Sequence, residues 1–269
     1  MMDTQAAPTT ATPMKARAYA RLQAIEFPSH RVCVRLLGPP RVRCGETQLE
    51  SRVSAQTLLV FALLVTRVGE TLQRDEVAFT LWPDIAESDA RAALRRNLYK
   101  LQQALPASSV PWLECDARMV AWAPRAETWV DVAEFERLSE SPETLESAAR
   151  LYRGDFAPHI DHEWATEIRE KLRRRACRVF EEAVRQRRAA GDIPGALHYV
   201  EQLLAHDPWR EDALRTFMLL RYSQGDRAGA LFHYREFRER LRLEFDVEPM
   251  PDTMSCFDTI ARGLVPAAY

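Results

Sequence analysis

The stretch Ser88-Asp-Ala-Arg-Ala-Ala-Leu-Arg-Arg-Asn-Leu-Tyr-Lys-Leu-Gln-Gln-Ala-Leu105 decides how the chain is read. Ser88 suits an N-cap and Asp89 suits the positive end of a helix dipole. The interior holds no Gly, Pro or β-branched residue, so helix propensity is high. Leu94, Leu98, Leu101 and Leu105 recur on one stripe. At about 100° per residue, Arg91, Arg95, Tyr99 and Gln102 gather on the other side, with Arg96, Lys100 and Gln103 beside them. Pro106 stops the helix, and no acid falls between Arg91 and Lys100.

A leucine stripe backed by cationic and amide donors is what a helix in a DNA groove requires. Arg offers a fork to guanine edges, Gln pairs with adenine, and Lys and Tyr hold phosphates. The same pattern also describes a solvated basic face, so the surrounding chain has to decide.

The chain has 269 residues, room for about two domains. Its composition, 46% hydrophobic and 28% charged, is that of an ordinary globular protein. The net charge is −2, but it is unevenly spread. Residues 1–130 hold 16 Lys and Arg against 13 Asp and Glu, whereas residues 131–269 hold 21 against 26. Any nucleic-acid surface is therefore local and in the first half. The five cysteines show no close pairing and read as free thiols in a reducing, cytoplasmic compartment. There is no apolar run of membrane-spanning length and no signal-peptide core.

Residues 1–28 read as a plain disordered tail, with a weak basic arm of Lys15, Arg17 and Arg21 as the lesser alternative. Val32, Val34 and Leu36 alternate with polar residues, and turns at Gly38-Pro39-Pro40 and Cys44-Gly45-Glu46 suggest a small antiparallel sheet. Ser54–Val65 reads as an apolar helix and Leu72–Trp82 as a second, closed by Pro83. After the Ser88 helix, Trp112–Trp122 reads as a hairpin turning near Asp116-Ala117. Sheet, helix, helix, basic helix and hairpin is the order of a winged helix-turn-helix with an added N-terminal sheet.

From Asp131 the periodicity turns helical. Gly191-Asp192-Ile193-Pro194-Gly195-Ala196-Leu197 recurs as Gly225-Asp226-Arg227-Ala228-Gly229-Ala230-Leu231, an offset of 34 residues. That is the period of tetratricopeptide helix pairs. Gly permits the tight turn, Asp caps the next helix, and Ala allows close approach. The expected helices are Leu138–Leu151, Trp164–Ala190, Ile193–His206, Trp209–Gln224 and Arg227–Leu243, closed by Thr253–Ile260. The fold class expected is mainly α: an N-terminal α+β winged helix-turn-helix over residues 29–126, then an all-α tetratricopeptide-like domain over 127–263 and a short tail over 264–269.

With these pieces in order, the chain resembles the antibiotic-regulatory activators of actinobacteria, which join an OmpR-like winged helix to a bacterial transcriptional activation domain. The resemblance rests on Leu81-Trp82-Pro83-Asp84, Ala93–Leu101, Asp131–Glu136, Leu151–Phe156, Glu163-Trp164-Ala165, Arg221–Asp226 and Leu241–Pro249. It implies a sequence-specific activator that binds direct repeats in promoter DNA. It also implies that the helical domain contacts RNA polymerase or a second copy, giving a homodimer on DNA. Carried onto this chain, Arg91, Arg95 and Arg96 become base-edge candidates. Tyr99 and Lys100 become phosphate candidates, with Gln103 beside them and Arg118 reaching from the wing. The wing departs from the family pattern: many members carry Gly-Tyr where this chain has Ala117-Arg118-Met119. The alternative reading is a protein-interaction scaffold whose winged helix does not read DNA, motivated by the short wing and weak positive charge.

An enzyme is not expected. His159-Ile160-Asp161-His162-Glu163 lacks the zincin order, because its Glu follows the second His. No metal site, cofactor or Walker-type phosphate loop is expected. Arg173-Arg174-Arg175 lies among Glu167, Glu170, Glu181 and Glu182 and reads as a solvated helix face.

Overall fold

The computed structural model describes residues 32–45, 47–123 and 127–264. The tail over residues 1–28, its Lys15, Arg17 and Arg21, and residues 265–269 lie outside these.

Strands β1 (Val32–Arg35), β2 (Arg41–Cys44) and β3 (Thr47–Gln48) form the expected antiparallel meander. A strand that the sequence pattern did not reveal, β7 (Thr128–Val130), adds to it in parallel, with Val34 opposite Val130. Three residues are too few to show an alternation. The sheet runs β3-β2-β1-β7. β7 thus ties the start of the helical half to the first strand.

Helix α1 (Ala55–Thr66) begins at its Ser54 cap, whose hydroxyl accepts from the Thr57 N–H at 3.3 Å. The expected helix over Leu72–Trp82 is shorter. Leu72–Gln73 forms β4, and α2 covers Arg74–Leu81. The reason lies in the hairpin β5 (Leu113–Cys115) and β6 (Met119–Trp122): Leu72 pairs with Val120 and Gln73 with Met119, so their backbone is extended. Helix α3 (Glu87–Ala104) starts one residue before the expected Ser88. Its N-cap is Ala86, which has no side-chain acceptor, so Ser88 is not the cap. Glu87 and Asp89 instead bring negative charge to the positive helix end.

The expected single helix Leu138–Leu151 is two, α4 (Asp131–Leu138) and α5 (Leu145–Leu151). The turn between them contains Pro142, and the Thr144 hydroxyl closes it by donating to the Leu138 carbonyl at 2.6 Å. Then follow α6 (Glu163–Ala189), α7 (Ile193–His206), α8 (Glu211–Ser223), α9 (Arg227–Phe245) and α10 (Pro251–Ala261). Gly191 and Gly225, with φ of 73° and 80°, end α6 and α8 in the left-handed region. Asp192 and Asp226 cap α7 and α9, accepting from the Gly195 and Gly229 N–H groups at 3.0 and 2.9 Å. A Cβ at Gly195 or Gly229 would lie 2.3 Å from Oδ2, the other oxygen of the capping carboxylate. The Gly three residues after each Asp is therefore a steric requirement of the cap.

The two halves share one continuous apolar core. Asp131, at the start of α4 and 1% exposed, accepts from the Leu36 and Leu37 N–H groups at 2.8 and 3.0 Å. Ala157 N–H donates to the Leu36 carbonyl at 2.7 Å and Gly38 N–H to the Asp155 carbonyl at 3.0 Å. Burial pushes the Asp131 carboxyl up to about 6, although the two N–H donors and Arg153 pull it down. No helix among the described residues is long and apolar enough to cross a membrane.

Candidate nucleic-acid interface

Helix α3 buries Ala90, Ala93, Leu94, Asn97, Leu98, Leu101 and Ala104 against the core. That buried stripe fixes which way the other side faces. Arg95, Arg96, Tyr99, Lys100, Gln102 and Gln103 are all exposed, and the Tyr99 ring is 64% exposed. The structure therefore brings five of the expected site residues together: Arg95, Arg96, Tyr99, Lys100 and Gln103.

Arg91 is differently placed. Its Nε and Nη2 donate to the two carboxylate oxygens of Asp75 on α2, at 2.8 and 3.1 Å. Nη2 also reaches Glu87 at 3.2 Å, and the guanidinium lies 5.2 Å from the Phe79 ring centre. Hydrogen bonding to Asp75 holds the Arg91 proton more tightly than usual. Arg91 is exposed as well, but its guanidinium is engaged with α2.

Arg118 sits on the wing turn with its side chain exposed. The turn is built by Asp116, whose Oδ1 accepts from the Arg118 and Met119 N–H groups, each at 2.7 Å. These bonds hold the Asp116 carboxyl below its usual range. Arg74, at the start of α2, clamps the turn: its N–H donates to the Arg118 carbonyl at 2.8 Å and its Nη1 to the Asp116 carbonyl at 2.9 Å. The departure from Gly-Tyr is thus absorbed by an Asp-based turn, so the wing is ordered without a glycine.

Two features of the site were not singled out from sequence. The first is a shallow open cleft of about 480 Å³ where Tyr99, Lys100 and Gln103 meet Arg52, Val53 and Ser54. It places the N-terminal end of α1, with its partial positive charge, beside the cationic face of α3. The Ser54 cap before an apolar run was the available signal. The second is a buried polar contact behind the face: the Thr57 hydroxyl donates to Asn97 Oδ1 at 2.8 Å, and Asn97 Nδ2 donates to the Ala93 carbonyl at 2.9 Å. A polar residue at a core position of a helix needs such a partner, but sequence does not say which.

In the arginine-rich stretch of α6, which reads from sequence as a solvated face, Arg174 is exposed but its neighbours are engaged within the protein. Arg173 binds Asp155 at 2.5 Å and Glu170 at 2.9 Å, Arg175 donates to the Glu136 carbonyl at 2.9 Å, and Arg187 pairs with Asp192 at 2.8 Å. These contacts join α6 to its neighbours. Among the described residues no group of three or more His, Cys, Asp or Glu could hold a metal ion.

Three short helices packed on a β-hairpin, followed by stacked helix pairs, define a winged-helix protein with a helical effector half. The bacterial transcriptional activator domain matches residues 126–261, and the chain belongs to that family. That family is one of transcription regulators rather than enzymes. The chain is 27% identical over 230 residues to regulatory protein AfsR of Streptomyces coelicolor, covering 80% of this chain and 23% of that protein. It therefore spans about a quarter of that relative's length. Its fold is similar to that of Mycobacterium tuberculosis EmbR solved in complex with a low affinity phosphopeptide. The TM-score is 0.65 at 20% identity, over 89% of this chain and 67% of that one.

Proposed function

We propose that the protein activates transcription in the cytoplasm by binding direct repeats in promoter DNA through α3. In this reading residues 29–126 hold the duplex and residues 127–263 contact RNA polymerase or a second copy. The observation that carries it is the acid-free face of Arg95, Arg96, Tyr99, Lys100 and Gln103 on a helix fixed by its own leucine stripe. Arg95 and Arg96, nearer the helix N-terminus, are the base readers. Tyr99, Lys100 and Gln103, around the cleft with Arg52 and Ser54, hold backbone phosphate, and Arg118 reaches a neighbouring phosphate from the wing. Arg91 serves as the brace to α2.

The helical half offers a surface for a protein partner. Leu243, Phe245, Val247 and Met250 are 72%, 52%, 50% and 62% exposed around the end of α9. Phe245 packs edge-on to Trp209 with ring centres 4.8 Å apart. Exposed apolar groups gathered in this way mark protein contacts.

Selection from a random duplex pool with the purified chain tests the proposal. Enrichment of a direct repeat spaced by about 10–11 bp, one helical turn, supports it. Failure to enrich any sequence, with no salt-dependent binding, supports a scaffold that does not read DNA.

A further inference from the structure

A second cleft, of about 480 Å³, lies on the seam between the two halves, away from the exposed face of α3. Its walls come from the N-terminal sheet (Leu36, Val42), from α1 (Leu58, Leu59) and from the segment preceding α6 (Ile160). That segment is held rigid by Arg169, whose Nε donates to the Phe156 carbonyl at 3.0 Å and whose Nη2 donates to the Ile160 carbonyl at 2.9 Å. Leu58, Leu59 and Ile160 pack against the core yet are only partly buried, so among the described residues nothing fully covers these apolar walls.

The polar part of the lining includes two acidic side chains. Glu50 and Asp161 contribute carboxylates, His159 and His162 contribute imidazoles, Gln56 contributes an amide, and among the described residues no Lys or Arg lines the cleft. Glu50 is the informative residue. One of its oxygens accepts from the Val42 N–H. The other, Oε2, is buried and has no hydrogen-bond partner among the described residues. A buried carboxylate oxygen left without a donor is costly, and a ligand that brings the donor recovers that free energy. The volume is that of a small-molecule pocket.

We infer that this seam is a binding site for a small amphiphilic amine, its ammonium group donating to Glu50 and its apolar body lying against Leu58, Leu59 and Ile160. The site is independent of the DNA reading, since none of its residues lies on α3.

Calorimetric titration of the full chain near neutral pH, with phenylbutylamine and its isosteres phenylbutanol and phenylbutyrate, tests the inference. Saturable one-to-one binding of the amine is expected, with affinity about ten-fold weaker for the alcohol and none for the carboxylate. Glu50→Gln keeps the acceptor for Val42 and is expected to weaken amine binding about ten-fold. Gln56→Lys, at an exposed rim position, places a cation over the mouth and is expected to weaken the amine likewise. It decides the matter if Glu50→Gln proves unfolded by circular dichroism. Equal binding of amine and carboxylate, amine affinity unchanged in the folded variants, or no saturation by about 10 mM overturns the assignment.

Discussion

Arg91 on α3 and Asp75 on α2 meet in a two-pronged ion pair, with N–O distances of 2.8 and 3.1 Å. The pair joins the two helices of the helix-turn-helix at the surface, outside the buried stripe that positions α3. Arg91 and Arg95 are one turn apart and chemically identical, yet only Arg95 is free of such a clasp to the preceding helix.

The two arginines should therefore fail in different ways. Arg91→Ala is expected to lower the melting temperature slightly while preserving the ratio of affinities for a selected duplex and its single-mismatch relatives. Arg95→Ala is expected to leave melting unchanged and reduce that ratio. Thermal melting and competition binding of both variants, run side by side, check the assignment. The opposite pattern would make Arg91 the base reader.

Asp131 makes a pH prediction. Its folded-state carboxyl titrates at about 6 because it is buried, whereas an unfolded Asp titrates near 3.9. The folded state therefore holds the extra proton between these values, and this contribution to stability is full below about pH 4 and lost as pH rises through about 6. The stability advantage of wild type over Asp131→Asn should shrink by about 2–3 kcal/mol from pH 4 to pH 7. Asn also turns a donor toward one of the Leu36 and Leu37 N–H groups, so the variant is the less stable form at low pH. Urea unfolding across that pH range measures both effects. A constant difference between the two proteins would contradict the buried-acid account.

The repeated cap makes a steric prediction. Gly229→Ala places a methyl group 2.3 Å from Asp226 Oδ2 and must displace the cap. A loss of about 0.5–2 kcal/mol is expected, the usual value of an N-cap, although Ala is the better helix former. Ala228→Gly, one residue away, is the control, expected to show only the propensity loss of about 1 kcal/mol. Gly195→Ala should repeat the Gly229 result in the other helix pair.

The exposed apolar patch makes a functional prediction. Leu243→Asp alters a side chain that is 72% exposed, so folding and DNA affinity should be unchanged. Promoter activation in a reconstituted transcription assay should fall several-fold. Full activation by this variant would place the partner contact elsewhere.

Much of this was legible in the sequence because it is periodic or local. The α3 stripe, the wing hairpin and the glycine–aspartate caps each follow from spacings within a few residues. The parts that were not legible are long-range or too short to show a period. β7 has three residues, and its partner β1 lies almost a hundred positions earlier. The Asp131 clasp on Leu36 spans 95 positions. The loss of Leu72–Gln73 from α2 follows from pairing with a hairpin further along the chain. On α3, helical periodicity placed Arg91 with Arg95 but carried no trace of Asp75, because an ion pair between helices depends on how they pack. The acidic cleft likewise draws on three separate segments, and nothing in any one of them announces it.

The central claim, that α3 reads DNA, is tested most directly by fluorescence anisotropy of a selected duplex and a scrambled duplex across a salt series. Wild type should bind the selected duplex with a steep linear loss of log affinity against log salt. Lys100→Ala should flatten that slope by about one ion on both duplexes alike, while Arg95→Ala should remove about 1–3 kcal/mol of the difference between them. Binding that ignores salt, or variants that weaken selected and scrambled duplexes identically, would contradict the account.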